Sequence, residues 1–137
     1  MIPDLQMSVL CDDVRQESNG KFILIGVFDV IAVPGYPAAF QRICLVNRWC
    51  SGQGTFTQQS RVLKADGSGV LAAGREVKVN LPDGEATATS VEYFLNLQFE
   101  KEGTYWIEVL LDGDLKLRYP LKALRLQQPH KPAEGEG

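Results

Sequence analysis

The stretch GTYWIEVLLDGDLKLRYPL, residues 103–121, decides the fold. Tyr105, Ile107, Val109 and Leu111 alternate with Thr104, Trp106, Glu108 and Leu110. A period of two puts successive side chains on opposite faces of a strand, so the first set shares one apolar face. Asp112-Gly113 follows with the chemistry of a tight hairpin turn. Leu115, Leu117, Tyr119 and Leu121 then alternate along a return strand. Pro120 has no N–H to give a neighbour, which places that strand at an edge or a bulge. A hairpin with one apolar face must bury it against a second layer.

The same period extends outward from this hairpin. Residues 87–99 place Val91, Tyr93, Leu95, Leu97 and Phe99 on one side, the clearest alternation in the chain. Pro82-Asp83-Gly84 is a turn, and residues 76–81 put Val77, Val79 and Leu81 together. Residues 56–64, FTQQSRVLK, alternate with polar positions that suit an exposed face, and Asp66-Gly67 closes them before a short restart at 69–73. In residues 41–49, Ile43, Leu45 and Trp49 share one face and Cys44, Val46 and Arg48 the other. Residues 33–40, VPGYPAAF, contain two prolines and a glycine and are read as an apolar loop. Residues 21–33, KFILIGVFDVIAV, form one long strand, joined to residues 5–11 by a hairpin whose Asn19-Gly20 supplies positive φ angles. Residues 12–18 have room for a single helical turn. About eight strands with regular turn signals predict an all-β, two-sheet sandwich spanning residues 1–126. The remainder, 127–137, has no apolar anchor and is expected to be a disordered tail.

Composition agrees with one domain. The chain has 137 residues, 45% of them hydrophobic, enough for a core without metal or disulfide support. A formal net charge of -3 and the lack of a basic run argue against nucleic acid or an anionic membrane as partner. Asp4, Gln6, Asp12 and Asp13 interrupt the first residues, unlike a signal peptide, so a cytoplasmic location is expected. Cys11, Cys44 and Cys50 are then reduced thiols, and no pair of close Cys or His ligands suggests zinc.

Catalytic signatures are missing. The one histidine, His130, falls in the expected tail, so neither a Ser-His-Asp nor a Cys-His arrangement has its imidazole in the folded domain. No nucleophile elbow, phosphate loop or HExxH occurs. No enzyme activity and no cofactor are expected. Asp66, Asp83, Asp112 and Asp114 lie singly in turns, where Asp-Gly is ordinary turn chemistry rather than a calcium site.

Two stretches carry a resemblance. Glu102-Gly103-Thr104-Tyr105 resembles the tyrosine corner of immunoglobulin-like sandwiches, at the start of the next-to-last strand. Ile107 stands where an antibody domain has its second cysteine, so the resemblance implies an immunoglobulin-like sandwich without the inter-sheet disulfide. The opening LCDDVRQESNGKFILIGVFDVIAVPGYP, with the EGTYWIEVLLDG hairpin, is similar to a family of small bacterial proteins of unknown function, over residues 5 to about 124. That resemblance implies a bacterial, cytoplasmic, single-domain protein and lends no activity, cofactor or site.

Binding is the remaining class. Trp106 alternates away from Tyr105 and Ile107 and is expected on the outer face, where Arg48 and Arg42 could flank it. Tyr36 and Phe40 are either an apolar docking patch or a lid over one end of the sandwich. Asp12, Asp13 and Arg15 are either a recognition loop or groups that cap a turn and pair with each other. The reading is a non-catalytic binding or assembly module acting on a protein partner or a second copy through a sheet face or edge. The alternatives are a carbohydrate-binding sandwich using Trp106, Trp49 or Tyr36, and a phage-type or secretion-apparatus structural subunit.

Overall fold

A computed structural model describes residues 1–127, so His130 and residues 128–137 of the expected tail lie outside the described residues. Ten strands form, β1 Asp4–Gln16, β2 Phe22–Phe28, β3 Val30–Val33, β4 Ala38–Cys50, β5 Gly54–Leu63, β6 Val70–Ala73, β7 Val77–Leu81, β8 Thr87–Phe99, β9 Gly103–Leu111 and β10 Asp114–Arg125. They make two sheets. One has the order β2-β1-β4-β8 and the other β3-β10-β9-β5-β6, with β7 also paired to β5. All pairings are antiparallel except β3 with β10.

The facing sides hold the core. Leu10, Ile43, Leu45 and Phe94 of the first sheet meet Ile31, Val62, Tyr105, Ile107 and Leu121 of the second. Trp49, Val79, Leu81, Val109 and Leu111 close one end. Phe99 stands edge-on to both Phe40 and Tyr105, with ring centroids 5.5 and 4.8 Å apart. Among the described residues no helix is long and apolar enough to cross a membrane.

The decisive hairpin forms as read. Tyr105, Ile107, Val109 and Leu111 are buried, and Asp112 and Gly113 both take positive φ in its turn. The Tyr105 hydroxyl donates to the Lys101 carbonyl at 2.7 Å, the back-bond of a tyrosine corner. On the return strand the pattern yields. Leu115 and Leu117 are exposed: the pairing slips between them, which sets Leu115 opposite Leu110, and only Tyr119, Leu121 and Ala123 reach the interior. Pro120 faces Trp106 on one side, and on the other β3 begins to pair only at Lys122.

Five further expectations are corrected. Residues 21–33 are two strands, not one, because the chain changes sheet at Asp29, between β2 and β3. With the separate β6 this raises the count from eight to ten. Residues 12–18 make no helical turn, since β1 runs on to Gln16 opposite Phe22. In the β1–β2 turn Gly20 alone takes positive φ, and Asn19 instead accepts the Lys21 N–H on its side chain. Of VPGYPAAF, residues 38–40 already pair with β8, leaving 34–37 as the loop.

The alternation of residues 87–99 also breaks. Tyr93 and Leu95 are 51% and 65% exposed, whereas Glu92 and Phe94 are buried, and beyond them so are Leu97 and Phe99. Asn96, with φ 53°, switches the faces. A left-handed residue rotates the strand, and Asn tolerates that conformation better than most.

Candidate interaction surfaces and the buried polar cluster

Trp106 lies on the outer face of the second sheet, as its parity requires. In register it is flanked by Leu63 on β5 and Pro120 on β10. The Arg118 guanidinium covers its ring at 4.7 Å, a cation–π contact. Arg61 binds the nearly buried Glu108 at 2.6 Å in the next row. Arg42 and Arg48 do not flank this tryptophan, because both belong to β4 in the other sheet.

Trp49 is no platform, since it is fully buried. Its indole N–H donates to Gln58 Oε1 at 2.7 Å. Period two placed it correctly on the Ile43–Leu45 face; that face is the interior. Tyr36 packs on the core and donates its hydroxyl to the Leu124 carbonyl at 2.7 Å. Phe40 packs on the same core beside Phe99, so residues 34–40 cover one end of the sandwich.

Asp13 and Arg15 meet within 3.1 Å, and Arg42 reaches the other Asp13 oxygen at 3.0 Å. The Arg15 hydrogen bond, then the Val14 N–H, holds the Asp13 carboxyl below its ordinary range. The Asp12 carboxyl crosses Gly26, occupying the space a Cβ there would need. Gly26, at φ 69°, is a bend that an L side chain resists. The arm beyond this bend turns back over the outer face of its own sheet. Val14 and Leu24 pack on Cys11, Cys44 and Val46, and residues 19–22 come round to Arg48, Thr87 and Thr89. Cys11 and Cys44 face each other in register under this arm, and burial pushes the Cys11 thiol up to about 11. Both are protonated, inert thiols at neutral pH.

The arm leaves β2 as a free edge. Its sequence FILIGVF has neither charge nor proline. Ile23, Ile25 and Val27 along it are 44%, 43% and 57% exposed.

Sequence reading missed a polar cluster between the sheets. Gln58 Oε1 accepts the Trp49 N–H and, at 3.0 Å, the Ser90 hydroxyl. Gln58 Nε2 donates to Glu92 Oε1 at 2.7 Å, and Asn47 Nδ2 donates to Ser60 Oγ at 3.0 Å. The Ser8 and Tyr119 hydroxyls are 2.9 Å apart, and burial pushes the Tyr119 hydroxyl up to about 12. The available signal was the polar alternates Gln58 and Ser60 in FTQQSRVLK, which parity alone could assign to either face.

Burial raises the Glu92 carboxyl above its ordinary 4.5, against the lowering hydrogen bonds of Gln58 and Ser60. The folded chain therefore holds this proton more tightly than the unfolded chain. The resulting stability is complete below the unfolded value and is lost as pH rises through the folded one. Glu92→Gln keeps an acceptor for Gln58 and removes the buried charge. Its Tm relative to wild type is expected to rise between about pH 4 and pH 8, by about 4 °C for each kcal/mol recovered. A difference that stays flat with pH in thermal melts, or moves the other way, contradicts this account.

Together these features define a two-sheet, all-β sandwich whose distinctive surfaces are an edge strand and a folded-back arm. Residues 6–124 match the family described as "Family of unknown function (DUF6941)", and the chain belongs to that family. No curated protein matches it. Among solved structures it is similar to the Pseudomonas fluorescens alkylpurine DNA glycosylase AlkC bound to DNA containing an abasic site analog. The identity is 12% and the TM-score 0.50, over 90% of this chain and 30% of that one. This chain thus spans under a third of that protein's length, and the likeness concerns fold alone.

Proposed function

We propose that this domain is a non-catalytic assembly module that pairs with a second copy of itself through the free edge of β2. The observation that carries the reading is the edge itself, FILIGVF, uncharged and free of proline, with Ile23, Ile25 and Val27 exposed along it. Natural monomers block such edges with lysine, proline or inward charges, and β8 at the other edge carries Glu92 inward. Antiparallel pairing of a strand with its own copy satisfies two-fold symmetry, the commonest oligomeric arrangement.

The same reading makes the protein bacterial and cytoplasmic, without cofactor and without nucleic acid or membrane as partner. Support comes from the net charge of -3 and the absence of catalytic motifs in the sequence. The tyrosine corner supports an immunoglobulin-like sandwich as the finer class. The carbohydrate alternative has less support, since Trp49 is buried and Arg118 lies over Trp106.

Light scattering coupled to size exclusion tests the assembly. A dimer is expected, and Ile25→Lys, which places an ammonium on the edge, should weaken association by about tenfold or more. A monomer at all concentrations up to about 1 mM overturns the proposal, as does an Ile25→Lys chain that dimerises like wild type.

A further inference from the structure

We infer that the cleft between the β1–β2 arm and the outer face of the four-stranded sheet binds a small organic anion, its charged end on Arg48 and Lys21 and its apolar part on Met7, Leu24 and Val46. This goes beyond the edge pairing proposed above and does not depend on it. The cleft measures ≈ 700 Å³, within the roughly 300–1,000 Å³ range of small-molecule sites.

Its electrostatics oppose those of the whole molecule. The chain carries a net -3, yet the lining holds two cations, Arg48 and Lys21, and no carboxylate. Arg48 makes none of the ion pairs found among the described residues. One of its terminal nitrogens donates to Thr87 Oγ1 at 3.3 Å. Its Nε is buried and has no acceptor among the described residues. A guanidinium presents its donors as a planar fork, and the Nε–H with a neighbouring terminal N–H donates side-on to a carboxylate or phosphate. The Thr87 oxygen accepts from Arg48, which leaves its own O–H free to donate to the same anion, and Thr89 lies on the same wall.

The apolar lining sets the ligand class. Met7 and Val46 form a floor and Leu24 a wall, so an ion carrying an apolar group buries more surface here than a bare ion does. The site exists only because Gly26 lets the arm turn back. Asn19, Gly20 and Lys21 of the hairpin tip are brought over Arg48, which lies 27 residues from Lys21 in sequence.

Titration of the intact chain with phenyl phosphate, benzoate and inorganic phosphate, followed by amide-resolved nuclear magnetic resonance, tests the inference. Saturable shifts are expected at residues 19–24, 46–48 and 87–89, with a Kd of about 1 mM or tighter for at least one aromatic probe. The stronger aromatic probe identifies the preferred head group, and inorganic phosphate should bind several-fold more weakly than phenyl phosphate. Arg48→Gln should weaken binding by about tenfold or more while leaving the remaining spectrum in place. Lys21→Gln, at an exposed position that the fold does not need, should weaken it less. Shifts that do not saturate, shifts elsewhere on the surface, or unchanged affinity in both variants overturn the inference.

Discussion

Trp49→Ala is expected to lower the unfolding free energy by about 3–5 kcal/mol, a large share of the roughly 5–15 kcal/mol that holds such a domain. Trp49 is the largest of the fully buried side chains and packs with Val79, Leu81, Val109 and Leu111, from strands of the opposite sheet. It is also the polar link across the interior, through its N–H to Gln58. Truncation therefore opens a cavity and leaves Gln58 Oε1 with the Ser90 hydroxyl as its remaining donor. Trp49→Phe separates the two losses. It keeps most of the packing and removes the N–H, at an expected cost of about 1–2 kcal/mol. Urea unfolding reads both, as a shifted midpoint at unchanged slope. A loss under about 1 kcal/mol for Trp49→Ala would be incompatible with a central, well-packed indole.

Phe99→Ala should cost nearly as much, about 3–5 kcal/mol, while Leu95→Ala stays within about 0.5 kcal/mol of wild type. Simple alternation treats the two alike, since both are odd-numbered positions of one strand. In the structure Phe99 is fully buried between Phe40 and Tyr105, and Leu95 is mostly exposed. The contrast is thus a direct measure of the face switch at Asn96. Comparable costs for the two substitutions would mean that the strand runs without that switch.

This pair of residues marks the limit of period-two reasoning. Alternation located β4, β5, β7 and β9, and the faces of Ile43, Leu45, Trp49, Ile107 and Val109, because each stretch is regular enough for parity to persist. It failed at Asn96, where one left-handed residue reverses parity for everything beyond, and at Leu115, which a slipped pair sets out of phase with Leu117, Tyr119 and Leu121. It failed again at Asp29, the single charge within an otherwise apolar run, where the chain crosses from one sheet to the other. Period two reads KFILIGVFDVIAV as one long strand as readily as two short ones, since Val and Ile favour the strand conformation in either case.

The candidate surfaces divide in the same way. Trp106 was placed outward by its own strand, but its cover, Arg118, comes from the neighbouring strand and required the register of β9 with β10. Trp49 could be assigned a face, and whether that face was interior depended on which sheet packs over it. The polar cluster of Gln58, Ser90 and Glu92 joins strands from both sheets, and the anion cleft joins a hairpin tip to the far end of its own sheet.

The local part of the fold is written in the sequence. The all-β class, the hairpin around Asp112-Gly113, the tyrosine corner and the apolar character of FILIGVF are all legible there. These follow from side-chain period, turn chemistry and composition, which act over a few residues. The strand order, the position of β2 at an edge, the inward turn of Trp49 and Glu92, and the fold-back of the arm at Gly26 emerge only in the folded chain. Each of those depends on contacts between segments distant in the chain, and a sequence pattern records faces without recording neighbours.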